Sequence, residues 1–308
     1  MLEEDRQFNS FSNGINYSII IPHYNNVTKL SLCLQVLNTL YGQRPDIEVI
    51  VVDNGSTISL EELKSTFPVI WLEEKTIKSP YACRNQGIKQ SKGNIIILLD
   101  SNCIPLKGWL EEGIKKLDAS NIICGGQLEF IHSNDIFSRF DLLYGVIYPE
   151  DMNNRRSLPA GNLFIYRDTF AKIGLFYPEI RSLGDIEWTN RAYRAGYQLR
   201  LTDQSVVTYQ TKTRKAFITK MIRLGEGTKH QYVYAGGRLL SLNWVWKVIK
   251  SILPPNPIFV KRMNNQNKRE NTKLSVIYLV ILCWLTKILR GYGMLTGKSI
   301  VLEDIKYL

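Results

Sequence analysis

Apolar residues fall along the chain in two rhythms. Residues 17–24 (YSIIIPHY), 47–56 (IEVIVVDNGS) and 94–100 (NIIILLD) are short, nearly continuous apolar runs rich in β-branched side chains. Such runs predict strands buried on both faces, the kind found in the middle of a parallel sheet. Between the first two, Leu30, Leu34 and Leu37 recur at helical spacing with Thr28 as the expected N-cap. Residues 69–74 (VIWLEE) predict a third short strand, and residues 79–93 (SPYACRNQGIKQSKG) a helix that starts near Pro80 and stops before Gly93. Strand alternating with helix, with the strands buried, predicts an α/β fold of three layers, α/β/α, around a mostly parallel sheet.

After Gly108 the rhythm loosens. A helix is expected near residues 109–117, a strand at 122–130 (IICGGQLEF), a polar loop at 151–157 and a strand at 160–167 (AGNLFIYR). A helix follows Asp185, and residues 197–209 (YQLRLTDQSVVTY) predict a final pair of strand segments. Beyond about residue 215 the composition shifts to Trp, Lys, Arg and apolar residues. The expected organisation is a polar extension over 1–16, a catalytic-type α/β domain over 17–215, and a basic, apolar, helical C-terminal region over 216–308.

The formal charge of +11 in 308 residues directs attention to anionic partners: nucleic acid, a phosphorylated small molecule or an anionic membrane surface. Nucleic acid is the weakest of these, because no basic segment is interleaved with aromatic residues as a recognition motif. Five scattered cysteines without a CxxC pair predict reduced thiols in a cytoplasmic protein. The acidic, polar start of the chain does not read as a signal peptide. His23, His132 and His230 lack the spacing of a metal triad.

Two of the buried strands end in carboxylates, Asp53 and Asp100, on what should be one edge of the sheet. In open α/β sheets the ligand crevice lies at the carboxyl ends of the strands. A carboxylate there accepts from a nucleobase imide or a ribose hydroxyl, and Arg84, on the intervening helix, suits a phosphate. Neither GxGxxG nor GxxxxGK[ST] occurs, which argues against a dinucleotide-binding oxidoreductase and a P-loop nucleotidase.

The segments SIIIPHYNN, VIVVDNGS, ACRNQGI and LLDSNCIP, followed by AGNLFIYRDTFAKIGLF and GDIEWTNRAYRAGY, resemble the inverting family 2 glycosyltransferases of GT-A fold, in the family's order over roughly residues 17–230. The resemblance implies transfer of a sugar from a nucleotide-diphosphate donor to a saccharide or lipid-linked acceptor, in cell-surface polysaccharide or glycolipid synthesis. It implies that Pro22 and Tyr24 border the nucleobase, that Asp53 contacts it, and that Asp100 begins the DxD motif beside ribose and diphosphate. Asp185 matches the general base, with Glu187 as an acceptor-site residue or alternative base. Two acids often precede that Asp in the family; here Leu183 and Gly184 stand there.

The family's second DxD carboxylate is replaced by Asn102, and Tyr209 stands where a ligating His is common. An amide oxygen suits a hard cation but brings no charge, so the resemblance implies a weakened Mg²⁺ or Mn²⁺ site at Asp100 and Asn102, completed by donor phosphates. The alternative is a catalytically inactive scaffold that binds sugar nucleotides. Lys212, Arg214 and Arg223 are candidates for a lid over the diphosphate. Residues 239–262 and 273–293 alternate apolar, Trp and basic positions. The apolar core at 274–286 is short for a membrane span, so a helix lying on the anionic inner face of the plasma membrane is expected.

Overall fold

The computed structural model describes residues 14–297. Most of the expected polar extension, residues 1–13, and the chain end beyond 297 lie outside the described residues.

The apolar runs form strands β1 (Tyr17–His23), β2 (Ile47–Asp53), β3 (Ile70–Glu73) and β4 (Ile95–Leu99). They pair in parallel in the order β3-β2-β1-β4. The helices between them are α1 (Val27–Tyr41), α2 (Glu61–Thr66) and α3 (Pro80–Gln90). α3 starts where its sequence predicts, with Ser79 accepting from the Tyr81 N–H and proline in the first turn. α1 starts earlier than Thr28 would place it. Asn25 takes a positive φ of 51° and Asn26 becomes the cap residue, its carbonyl accepting from the Leu30 N–H.

The second half is mixed. β5 (Cys103–Pro105), α4 (Trp109–Lys115), β6 (Ile122–Ile131) and α5 (Ile136–Gly145) come first. A 3-10 turn at Pro149–Asn154 occupies the expected polar loop, and β7 (Asn162–Tyr166), α6 (Arg167–Ile173), α7 (Gly184–Arg194) and β8 (Gln198–Gln210) follow. The sheet continues β4-β7-β6-β8-β5. β7 is antiparallel to both neighbours, while β6 and β8 are parallel. The expected pair of strand segments is one strand, β8, whose pairing with β6 skips residues 203–205 between Thr202 and Val206.

Alternation within the buried strands builds the three layers. Ile97 and Leu99 of β4 join Ile19, Val51 and the α1 leucines on one face. Ile96 and Leu98 join Ile20, Ile88 and Trp188, against α3, α6 and α7, on the other. Past β8 the chain is helical: α8 (Arg214–Tyr234), α9 (Leu242–Ile252), α10 (Pro257–Arg269) and α11 (Val276–Thr296). These helices do not stand apart from the sheet domain. Phe217, Met221, Met263, Leu279 and Leu282 share a core with Phe140, Leu142 and Leu143 of α5.

Candidate active site

Parallel pairing puts the carboxyl ends of β1, β2 and β4 on one edge, so Pro22, His23, Asp53 and Asp100 lie in a row there. A cavity of about 310 Å³ opens at that edge, lined by Pro22, Tyr24, Asn54, Asp100, Asn102 and Lys212 among others. Tyr24 is half exposed, and the Lys78 ammonium lies 5.6 Å from its ring centroid. Asp53 is not on the lining. Its carboxylate accepts from the Ser56 backbone N–H at 3.0 Å and from the Ser56 hydroxyl, closing the turn after β2. Asn54, its neighbour, is on the lining.

Asp100 is gripped from behind. Arg84, with its side chain 4% exposed, donates from Nη2 to Asp100 Oδ1 at 2.6 Å, while the Asp100 side chain stays 38% exposed. Burial, the largest single influence, opposes the charge on Arg84, but Asp100 together with Tyr81, Asp185 and Cys83 raises the guanidinium pKa overall. The same guanidinium lies 5.1 Å from the Tyr81 ring centroid. The Tyr81 hydroxyl then donates to Asp185 Oδ1 at 2.8 Å. Asp185 also accepts from the Ala160 N–H at Oδ2, 2.9 Å away, and from its neighbour Ile186 N–H. In the first turn of α7 this carboxylate lies at the positive end of the helix.

The two residues before Asp185 now have a physical explanation. A Cβ on Gly184 would sit 2.8 Å from the Tyr81 ring, so an acid there would displace the tyrosine. Leu183 adopts φ 66° and its carbonyl accepts from Gln231 of α8. Asp185 faces a larger cavity of about 630 Å³, which also takes in Asp100, Tyr81, Arg181 and Arg223. Asp100, Arg181 and Arg223 line both cavities, so the two form one cleft. Tyr81 and Arg181 carry no local motif and are absent from the sequence expectations.

Glu187 is not brought to the cleft. It pairs with Arg191 through two hydrogen bonds, and burial raises its pKa against the lowering pull of that arginine. Of the three lid candidates, Lys212 and Arg223 line the smaller cavity, whereas Arg214 is exposed in the first turn of α8 and lines neither cavity. Burial, then Lys220, lowers the Lys212 pKa, and its ammonium lies 5.3 Å from the Tyr209 ring centroid.

Among the described residues no group of three His, Cys, Asp or Glu side chains could hold a metal ion. Burial raises the Tyr209 phenol pKa, so this residue stays neutral where a His would ligate. Asp100 has one oxygen committed to Arg84, and Asn102 adds an amide. That donor set fits a hard cation shared with substrate phosphates and does not fit a tightly held resident metal.

Residues 18–174 match the profile of glycosyl transferase family 2. The chain is 27% identical to the glycosyltransferase AglE of Haloferax volcanii over 290 residues, 91% of this chain and 95% of that protein. It is 37% identical to the poly(ribitol-phosphate) beta-glucosyltransferase of Bacillus spizizenii over 91 residues, which cover 28% of this chain and 14% of that one. Among solved structures it resembles the mannosyltransferase PcManGT from Pyrobaculum calidifontis in complex with GDP-Man and Mn²⁺, with TM-score 0.63 and 15% identity over 92% of this chain and 88% of that chain. It also resembles S. aureus TarS, with TM-score 0.51 and 16% identity over 91% of this chain and 54% of that one. These likenesses establish the GT-A fold.

His23 supplies a pH signature at the smaller cavity. The ring is 2% exposed and neither nitrogen has a hydrogen-bond partner. Burial lowers its pKa below the ordinary 6.5, against a smaller opposing pull from Asp53. The unfolded chain therefore binds the proton more readily, so this contribution to stability is present above the ordinary value and is lost as pH falls below it. Urea unfolding at about pH 7 and about pH 5.5 should show a larger loss for the wild type than for His23→Leu, by at most about 1.4 kcal/mol per pH unit. Equal losses would show that His23 does not titrate in this window.

Proposed function

Because the chain belongs to glycosyl transferase family 2, we propose that its cleft carries out inverting transfer of a sugar from a nucleotide-diphosphate donor to an acceptor hydroxyl, in synthesis of a cell-surface polysaccharide or glycolipid. The observation that supports this most is the pair of carboxylates, Asp100 and Asp185, on one continuous cleft and linked through Arg84 and Tyr81. The base lies against Pro22 and Tyr24, and the diphosphate beside Asp100. Asp185 takes the acceptor proton as the acceptor oxygen bonds to the sugar anomeric carbon. The bond from that carbon to the diphosphate breaks on the opposite face.

Hydrogen bonds from Tyr81 and the Ala160 N–H hold the Asp185 carboxylate in one orientation before the acceptor arrives. Arg181, Lys212 and Arg223 balance charge on the departing diphosphate. A Mg²⁺ or Mn²⁺ ion held by Asp100 and Asn102 would add a further positive charge at those phosphates. An inactive nucleotide-binding scaffold is favoured only by the thin metal donor set, and it leaves the Asp185 cradle without a purpose.

The exposed face of the C-terminal helices supports a membrane-bound setting. α11 is 21 residues long with mean hydropathy 1.5, long enough to cross a bilayer by length and composition, so the expectation of a shorter segment is corrected. Its inner face packs on α8 so closely that a Cβ on Gly225 would lie 2.0 Å from the Arg290 carbonyl oxygen, and one on Gly293 equally near that of Ile222. Lipid cannot surround a helix held this way. On the outer face Ile277, Ile281, Trp284 and Ile288 are exposed beside Trp246 and Ile249 of α9, and the Trp284 indole donates to the Ile252 carbonyl. This surface, with Lys247 and Lys250 at its margin, suits the interface of an anionic membrane, and the reading places the enzyme on the cytoplasmic face of the plasma membrane.

Asp185→Asn is expected to lower turnover roughly 10²- to 10⁴-fold with nucleotide affinity nearly unchanged, since an amide cannot take the proton. Near wild-type turnover would remove Asp185 from the base role. Excess chelator in the same assay should stop transfer, with Mg²⁺ or Mn²⁺ restoring it. Undiminished transfer in chelator would leave the diphosphate to Arg181, Lys212 and Arg223 alone.

The membrane reading predicts that the protein sediments with phosphatidylglycerol vesicles at low salt, and that Trp246→Glu with Ile281→Glu leaves it in the supernatant. Wild-type protein that stays soluble beside those vesicles would overturn it.

A further inference from the structure

The larger cavity has more cations than the donor can use. Asp100 and Asp185 are its only lining carboxylates among the described residues. Arg84 is spent on Asp100, and Lys220 on the fully buried Asp141. Arg181 and Arg223 line both cavities and so belong to the donor side. Besides Arg84 and Lys220, four cations line the larger cavity and not the smaller one: Arg155, Arg262, Lys287 and Arg290.

These four are positioned but hardly neutralised. Arg290 donates to the Tyr144 hydroxyl at 2.8 Å and to Thr228 at 3.1 Å, Lys287 to the Pro254 carbonyl at 3.0 Å, and Arg155 to the Ser157 carbonyl at 3.4 Å. All of those acceptors are uncharged. Arg262 has a carboxylate within ion-pair distance, Asp151 at 3.6 Å. Burial lowers the Arg155 pKa, Asp151 opposes that and Arg262 adds a smaller lowering push, so one carboxylate serves two guanidiniums at this wall. Gln266, buried on the same lining, has an amide oxygen without a partner. The walls between are apolar, from Val146, Ile147, Phe259 and Met263. With Asp151 the one carboxylate beside them among the described residues, these cations leave positive charge at an apolar-walled cavity for a further anion to balance.

We propose that this cavity binds a phosphate group carried by the acceptor, next to an apolar portion of the same molecule. The proposal rests on the reading of Asp185 as the transfer centre, because the cations lie in the cavity that Asp185 faces and not in the donor-side one. A phosphate on Arg155, Arg262, Lys287 and Arg290 would leave a hydroxyl further along the acceptor to reach Asp185. The unpartnered Gln266 oxygen offers a place for another acceptor hydroxyl to donate. Arg262, Lys287 and Arg290 stand on α10 and α11, outside the residues matched by the family profile. Acceptor choice would thus be set by the C-terminal helices.

The test uses thermal unfolding of the full chain with UDP or GDP, whichever stabilises it, held at saturation to occupy the donor side. Dodecyl phosphate below its micelle concentration, neutral dodecyl glucoside and inorganic phosphate are then compared as probes. Dodecyl phosphate should bind best, and Arg262→Gln with Lys287→Gln should weaken it by about tenfold or more. The charge-preserving pair Arg262→Lys and Lys287→Arg should restore it. Inorganic phosphate binding as tightly, and lost in the same glutamine variant, would support the anion site and make its occupant a soluble phosphorylated acceptor. Dodecyl glucoside binding as well as the phosphate would overturn the proposal. So would unchanged affinity in the glutamine variant, or no rescue by the charge-preserving pair. The nucleotide's own stabilising effect reports separately on the donor side, so a failure there is distinguishable.

Discussion

The site hangs on one buried guanidinium. Arg84 is enclosed by protein, and its carboxylate partner is Asp100 at the end of β4. A charge in that position is tolerable only while it is paired; removing one partner of a buried ion pair typically costs roughly 3–5 kcal/mol. The pair therefore fixes where α3 sits relative to the sheet edge. Its consequences run further, because the Arg84 guanidinium covers the Tyr81 ring and the Tyr81 hydroxyl holds Asp185. One helix thus couples the carboxylate on the donor side to the carboxylate proposed as base. Ser79 anchors the start of that helix, donating to the Ile180 carbonyl at 2.6 Å just upstream of Arg181 and the Asp185 loop.

Much of this architecture is readable along the chain because its signals are local. The four parallel strands are continuous apolar runs, and the turns after β2 and β4 begin with the side chains that make turns. The start of α3 is written in Ser79 and Pro80. Asp100 can be picked out by its place after a buried strand, whereas Asp185, at a helix mouth where a cap is the plain reading, is picked out through the family resemblance. What stays hidden is what distance in sequence conceals. Tyr81 meets Asp185 across 104 positions, and nothing around either residue announces the other. The pairing of β6 with β8 and its skipped residues depend on the whole second half of the sheet being assembled.

Other differences come from local competition. Asp53 stands at the expected edge, and Ser56, three residues on, donates to its carboxylate and holds it there. Glu187 and Arg191 are one helical turn apart, a spacing at which opposite charges meet, and that pairing keeps Glu187 from the cleft. α11 runs past its apolar core because Lys287 reaches the Pro254 carbonyl and Arg290 the Tyr144 and Thr228 hydroxyls without breaking the helix. Two basic residues that look like the end of an apolar segment line the cavity instead.

The proposed placement of the diphosphate beside Asp100, with one oriented carboxylate at Asp185, suits a single displacement at the anomeric carbon. The anomeric configuration of the product tests this most directly. With a donor found by nucleotide-sugar screening, NMR of the product linkage should show the configuration opposite to that of the donor. A product that keeps the donor's configuration would require two displacements or a front-face reaction, and would contradict Asp185 as the base of a single inverting step.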